Sequence, residues 1–400
     1  MKTSIAALAL AATLAFAAPA LAQKKYGPQG ANDTEIKIGQ TMPYSGPVSI
    51  YGIMGRVHSA YFQMVNEKGG INGRKINLIS LDDAYSPPKT VEQTRKLVES
   101  DGVLFMFGSS GTAGQSAVQK YLKSKKVPQL MLSTGASKFN DPQNFPWTTP
   151  ILQVYSTEGE VYAQYLMEEK PNAKVAILMQ NDDFGRDYIK GFKAKLGAKA
   201  ATMIVKEASF EAIDPTVDSQ ILALKASGAD VLIDASLGKT TAQVMKKLTE
   251  IGWKPLHIVV SNSVGQPVLK AAGLDNAKGI MTASGTKRSG DPANANDPGV
   301  VAYKAFMQKY LPGEDPLNEI GFSAYSWAVT LEKVLKECGD DLTPENVVAK
   351  ATSMKSIAAP ALLDGVTYST KPTDYSAIKK LMIQTFDGAR WHIVRAVEVH

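Results

Sequence analysis

Residues 103–114 read Val103-Leu104-Phe105-Met106-Phe107-Gly108-Ser109-Ser110-Gly111-Thr112-Ala113-Gly114. Five large apolar residues without polar alternation mark a strand covered on both faces, as strands of parallel sheets are. The run then breaks into glycines and serines, and Thr112–Lys125 continues with a helical pattern. A covered strand, a loop of small residues and a helix make one unit of a parallel α/β sheet, in which ligands sit outside the carboxyl ends of the strands. Small side chains let a ligand approach the backbone, and the free N–H groups and hydroxyls of a helix start suit a carboxylate or phosphate. Ser110, Gly111 and Thr112 are therefore candidate anion-binding residues. The next strand-like run, Gln129–Leu132, ends the same way in Ser133-Thr134-Gly135-Ala136-Ser137. Two such strand ends are more specific than one, although Gly and Ser also mark ordinary tight turns.

The same rhythm extends in both directions. Before the loop come strand-like 35–41 and 75–81 and helical 51–68 and 89–100. After it, strands are expected at 174–179, 202–206, 231–235 and 257–261, and helices at 161–169, 185–196, 216–227 and 240–251. The two series are separated by 140–157, rich in Pro and polar residues and read as a crossover. Residues 300–352 are mainly helical, and 379–399 are strand-like around the turn Asp387-Gly388. The fold class predicted is α/β, with two mainly parallel sheets, each with helices on both faces.

Four hundred residues exceed what one hydrophobic core supports, so at least two lobes are expected. With 44% apolar and 20% charged residues the chain is not a disordered, coiled-coil or collagen-like one. The single cysteine, Cys338, excludes an internal disulfide and a cysteine zinc cluster, and reads as a small packed hydrophobe. The four histidines form no HxxxH or HExxH pair, so no metal site and no cofactor are expected. The formal charge of +6 comes from scattered lysines without a basic–aromatic stripe, which argues against nucleic acid.

The N-terminus has a short basic start, the apolar run 5–18, Pro19 and the small-residue site Ala20-Leu21-Ala22. That is the pattern of a secretory signal peptide, residues 1–22, cleaved after Ala22. Gln23 rather than Cys at the new end means no lipid anchor, so a soluble chain, exported and then free, is expected. Residues 23–34 read as a flexible N-terminal arm.

Catalytic readings find little support. Gly238-Lys239-Thr240 resembles the end of a phosphate loop, but Ile233 stands where its first glycine should be. No GxSxG or GxGxxG occurs. Asp82-Asp83 and Asp182-Asp183 close strands; neighbours on a strand point to opposite faces, which favours capping or exposure over a paired acid and base. No catalytic residue is assigned, and a secreted hydrolase is the alternative of another class.

Across nearly all of residues 35–395 the chain resembles the leucine/isoleucine/valine-binding, type I periplasmic family of solute receptors for ABC uptake systems. The motifs are Ile38-Gly39 leading to Ser45-Gly46-Pro47 and Tyr51-Gly52, then Asn66-Glu67-Lys68-Gly69-Gly70-Ile71-Asn72-Gly73, and Asp82-Asp83 with Pro87. Gly135-Ala136-Ser137 and Asn181-Asp182-Asp183-Phe184-Gly185 follow in order. The resemblance implies a two-lobed clamshell with three hinge crossovers and the ligand between the lobes. Lobe 1 would comprise 35–151 and 283–362, and lobe 2 would comprise 152–282 and 363–400. It implies a ligand carboxylate held by Ser110, Gly111 and Thr112 and by Gly135, Ala136 and Ser137. Tyr51 would line the apolar side, and the second lobe would add Phe184, where the family has a tyrosine, and the strand ends at Ser236 and Asn262.

Two departures from the family matter. Its amino-acid binders place an acidic residue near Asn262 to pair with the ligand's ammonium, and this loop reads Ser261-Asn262-Ser263. An unpaired buried ammonium costs several kcal/mol, so a carboxylate without an ammonium, aromatic or branched aliphatic, is favoured over an amino acid. The family's frequent disulfide is also absent, with Tyr85 and Ser110 about where its cysteines fall. The expected protein is a monomeric receptor that passes a small carboxylate to a membrane permease; an amide or urea receptor of the same fold is the alternative.

Overall fold

The computed structural model describes residues 24–399. The first sheet is built from β2 (Glu35–Met42), β3 (Lys75–Asp82), β4 (Phe105–Phe107), β5 (Gln129–Leu132) and β6 (Thr148–Pro150), while β1 (Lys25–Tyr26) lies apart. The order β3-β2-β4-β5-β6 is parallel throughout. The second sheet holds β7 (Val175–Gln180), β8 (Ile204–Phe210), β9 (Val231–Ala235), β10 (Leu256–Val259) and β11 (Met281–Ser284). After β12 (Asp341–Leu342), the hairpin β13 (Lys380–Phe386) and β14 (Trp391–Glu398) completes it, in the order β14-β13-β11-β10-β9-β7-β8. The pairs β11–β13 and β13–β14 are antiparallel, and the other pairs of this sheet are parallel.

Helices cover both faces of each sheet. In the first lobe α1 (Ile53–Glu67) places Ile53, Val57, Ala60, Tyr61 and Val65 inward, the 3.6-residue spacing of a buried stripe. On the opposite face, α2 (Pro87–Arg95) and α3 (Thr112–Lys125) close over Val98, Val103, Met106, Val118 and Leu122. In the second lobe α4 (Tyr155–Glu169) and α5 (Asp183–Leu196) pack together on one face. After the single turn α6 (Ala200–Met203), the helices α7 (Asp218–Ala226), α8 (Lys239–Glu250) and α9 (Gln266–Ala272) cover the other. Asp182 starts α5 by accepting from the N–H groups of Phe184 and Gly185, 3.0 and 3.2 Å away.

The chain passes between the sheets three times: between β6 and α4, after β11, and through 352–379 into β13. The middle passage leads to α10 (Pro298–Tyr310), α11 (Glu319–Cys338) and α12 (Pro344–Ala351). These return to the first lobe, where Tyr61 of α1 meets Tyr325 of α11 edge-on at 5.3 Å and Phe306 of α10 at 6.2 Å. Cys338 is packed there and donates to the carbonyl of Val334, with its thiol pushed up to about 12 by burial.

Some expectations change. The signal-peptide reading falls on residues outside those described. The arm is tied down rather than loose: β1 pairs in parallel with β12, and Gln29 donates to the carbonyl of Val103 at 3.0 Å. Buried Arg74 holds it further, donating to the Tyr26 hydroxyl and the Asn32 carbonyl. The 140–157 crossover contains β6, an edge strand whose last residue is Pro150, the place where a strand tolerates proline. It also contains the first turn of α4, three residues of which lie in that stretch. Four-residue β11 was too short to stand out in Gly279–Gly285.

Candidate functional site

Between the lobes lies a cleft of about 830 Å3 not filled by protein atoms, part of it open to solvent. Its wall brings together six residues singled out in the sequence: Tyr51, Ser110, Gly111, Thr112, Phe184 and Asn262. The first lobe presents the start of α3. Gly111 precedes it at φ +97°, a conformation that glycine accepts without strain, and no side chain caps the helix. The leading N–H groups of α3 thus have no intrahelical partner and face a cleft lined beside them by Ser110 and Ser133. Thr112 shares a 2.7 Å hydrogen bond with the Thr134 hydroxyl, which fixes its side chain at the rim of this site.

The rest of the wall is largely apolar and aromatic, with Met54, Tyr85, Tyr155, Leu237, Ile320 and Trp327. Phe184 stands edge-on to Tyr155 at 5.4 Å, and Tyr155 stacks on Tyr188 at 4.5 Å. Tyr85 rests against Gly111; a Cβ there would come within 3.0 Å of its ring. Tyr51 crosses the cleft, its hydroxyl donating to the carbonyl of Asn262 at 2.9 Å; burial pushes its pKa up to about 12, so it remains a neutral donor. The Asn262 side-chain amide donates to the Tyr155 hydroxyl, also at 2.9 Å.

Four expected residues lie elsewhere. Gly135 is wedged against the first crossover: a Cβ there would sit 1.9 Å from the carbonyl oxygen of Gln153. Its own carbonyl accepts from the N–H of Tyr155, and Ala136 is buried behind it. Ser137 faces the second lobe, donating its N–H to Asp187 at 2.8 Å and its hydroxyl at 2.5 Å. Ser236 is fully buried and shares a hydrogen bond with the Thr241 hydroxyl. These loops were read as cleft walls because small hydroxylic residues end strands there; the contacts make Gly135 and Ser137 joints and pack Ser236 inside the second lobe.

Charged residues at the hinge end of the cleft are new. Arg288 and Glu319 both line it, with side chains only 7% and 5% exposed. Arg288 Nη1 stands 3.9 Å from Glu319 Oε2, beyond hydrogen-bond range, and Glu319 accepts from the N–H of Gln266 at 2.9 Å. Burial raises the Glu319 pKa, opposed by Arg288. Behind them Glu158 is wholly buried and accepts from Tyr162, Gln153 and twice from Ser261; burial raises its pKa against those bonds. The signal for Arg288 was the basic pair Lys287-Arg288 inside the small-residue stretch Ser284–Gly290.

The aspartate pairs are structural. Asp82 accepts from Ser45 and Ala84, Asp83 from Tyr85 and Thr90, and Asp183 pairs with Lys138 across the lobes. Among the described residues, no group of three or more His, Cys, Asp and Glu is placed to hold a metal ion, and no helix is long and apolar enough to cross a membrane.

A family model described as periplasmic binding protein matches residues 35–390. The chain belongs to this family of solute-binding proteins. Leu/Ile/Val-binding protein homolog 7 of Brucella suis biovar 1 (strain 1330) is 24% identical, over 100% of this chain and 97% of its own. A branched-chain amino acid ABC transporter protein from Thermus thermophilus with bound valine superposes with a TM-score of 0.81. It shares 18% identity, and the match covers 93% of this chain and 97% of that one. A solute-binding protein of an ABC transporter from Rhodopseudomonas palustris BisB5, in complex with 3,4-dihydroxy benzoic acid, gives 0.75 at 19% identity. That match covers 92% and 98% of the two chains. The family accounts for the two lobes and the cleft between them.

Proposed function

We propose that this chain is a periplasmic receptor of an ABC-type uptake system. It takes a small carboxylate between its lobes and delivers it to a membrane permease. The observation that carries this reading is the uncapped start of α3, with Ser110, Gly111 and Thr112, facing a largely apolar cleft. A helix N-terminus attracts an anion, and the aromatic wall would cover the rest of the ligand. Glu319 is a carboxylate in the cleft, but Arg288 stands beside it and Gln266 donates to it, so it is not free to match an ammonium. An aromatic or branched aliphatic acid therefore fits better than an amino acid. Valine and dihydroxybenzoic acid, bound by the two structural relatives, are both carboxylic acids.

In this reading the lobes are 35–151 with 283–362 and 152–282 with 363–400. They open and close about the crossovers, and the ligand favours the closed state by binding it more tightly. The chain is exported, cleaved after Ala22, not lipidated, monomeric and without a catalytic role.

The test is a thermal-shift screen of mature protein unfolded and refolded to strip any carried ligand. The panel holds branched and aromatic acids, the matching amino acids, amides and urea. A ligand at 100 times its Kd stabilises by about 2.7 kcal/mol, a visible shift. Acids are expected to shift the melting point; shifts confined to amides or urea, or turnover of any ligand, would overturn the reading.

A further inference from the structure

Arg288 is the most unusual polar group in the cleft. Its side chain is more than nine-tenths buried, yet Nε and Nη2 are sealed from solvent with no hydrogen-bond partner among the described residues. Its Nη1 has Glu319 only at 3.9 Å. The guanidinium lies over the Trp391 ring at 5.2 Å, which fixes its plane without satisfying a single N–H. An arginine carries five donors in a rigid fork, and leaving them unmatched in a buried site is costly. Burial closes Nε and Nη2 to a ligand as well as to water, so the donor that Arg288 offers to the cleft it lines with the start of α3 is Nη1, which has no hydrogen-bond partner of its own and suits an oxygen acceptor.

The surroundings decide which acceptor. Glu319, Glu158 and Asp291 all contribute negative charge around the guanidinium. A ligand carboxylate at this end would face Glu319 directly. A ligand ammonium would add donors where donors already lack partners. A neutral oxygen accepts from Arg288 without repelling Glu319. The α3 end is lined by Ser110, Gly111, Thr112 and Ser133, with no acidic side chain among them.

We propose that Arg288, backed by Glu319, is a specificity-determining residue at the hinge end of the cleft that donates to a second, neutral oxygen of the ligand. The ligand is then an acid with a hydroxyl or carbonyl remote from its carboxylate, rather than a purely hydrocarbon acid. This rests on the carboxylate reading of the α3 site.

The experiment is calorimetric titration with matched pairs of stated length: benzoate against 3- and 4-hydroxybenzoate, and hexanoate against 6-hydroxyhexanoate and 5-oxohexanoate. It is run on the mature wild-type protein and on Arg288→Met and Arg288→Lys. In wild type at least one oxygenated acid should bind roughly tenfold or more tightly than its hydrocarbon partner, the worth of a hydrogen bond to a charged donor. Arg288→Met should abolish that ratio while moving the hydrocarbon acid's Kd by less than about threefold; Arg288→Lys, which keeps charged donors, should retain part of it. The wild-type ratios need no variant, so they test the idea even if Arg288→Met folds poorly. Ratios near one in wild type overturn the inference and leave the carboxylate reading standing. Equal loss of both partners in Arg288→Met also overturns it, since Arg288 would then grip the carboxylate or merely hold the hinge. If no acid of the panel binds, the carboxylate reading falls and this inference falls with it.

Discussion

Ser137 of the first lobe gives Asp187 of the second both its N–H and its hydroxyl, at 2.8 and 2.5 Å. This paired contact sits beside the cleft rather than in its wall, and it holds the lobes together without touching the ligand space. Ser137→Ala should therefore weaken ligand binding by about 1–3 kcal/mol through a less stable closed form, the worth of a hydrogen bond to a charged group. Asp187→Ala loses both bonds and should cost at least as much. The double variant should be no worse than Asp187→Ala alone, because the same bonds are removed twice. Additive losses in calorimetry would show that each residue acts independently, against this account.

Gly111 should be required for binding as well as for stability. Its φ of +97° disfavours any side chain, and a Cβ would press on the Tyr85 ring at 3.0 Å. Gly111→Ala should strain the loop by about 1–3 kcal/mol and lower acid affinity about tenfold or more. Gly73→Ala is the control: φ there is +81°, but a Cβ would meet nothing within 4 Å. It should lower the melting temperature and leave Kd unchanged. Equal Kd values for the two variants would remove Gly111 from the binding site.

Acidification should expose the buried histidine. His58 lies against Phe107, with Nδ1 2.8 Å from the Gln40 amide and Nε2 without a partner, and burial lowers its pKa from 6.5 to about 3. Between those values the unfolded chain takes up a proton that the folded chain refuses, so stability falls as pH falls, by about 1.4 kcal/mol per unit. The buried carboxylates of Asp83, Asp182, Glu158 and Glu319 have raised pKa values and act in the opposite sense. They are shared by a His58→Gln variant and cancel in the comparison. Urea unfolding should therefore show His58→Gln gaining stability relative to the wild type as pH falls from 6.5 to 4.5; parallel profiles would contradict a neutral buried His58.

The parallel layers were legible because Val103–Phe107, Val175–Met179 and Val231–Ile233 read as unbroken apolar runs, as strands covered on both faces do. The start of α3 was legible for the complementary reason, since only small residues follow β4. The hinge end was not. Arg288 sits in an irregular segment and Glu319 opens α11 some thirty residues later, so no local pattern links two charges that meet only when the chain recrosses. Gly135 and Ser137 looked like wall residues because loop composition carries no direction. What turns them away from the cleft is Gln153 on one side and Asp187 on the other. The arm at 24–34 looked loose because its anchors, Asp341–Leu342 and Arg74, are remote in sequence.

The central claim is that the α3 site takes a carboxylate and that the cleft offers no free partner for an ammonium. Calorimetric titration of the refolded mature protein with 4-methylpentanoate, leucine and 4-methylpentanamide varies only the charged groups. The account predicts that 4-methylpentanoate binds about tenfold or more tightly than both. Tighter binding of leucine would restore an amino-acid receptor and show that Glu319 pairs with the ammonium; equal binding of acid and amide would contradict the anion site itself.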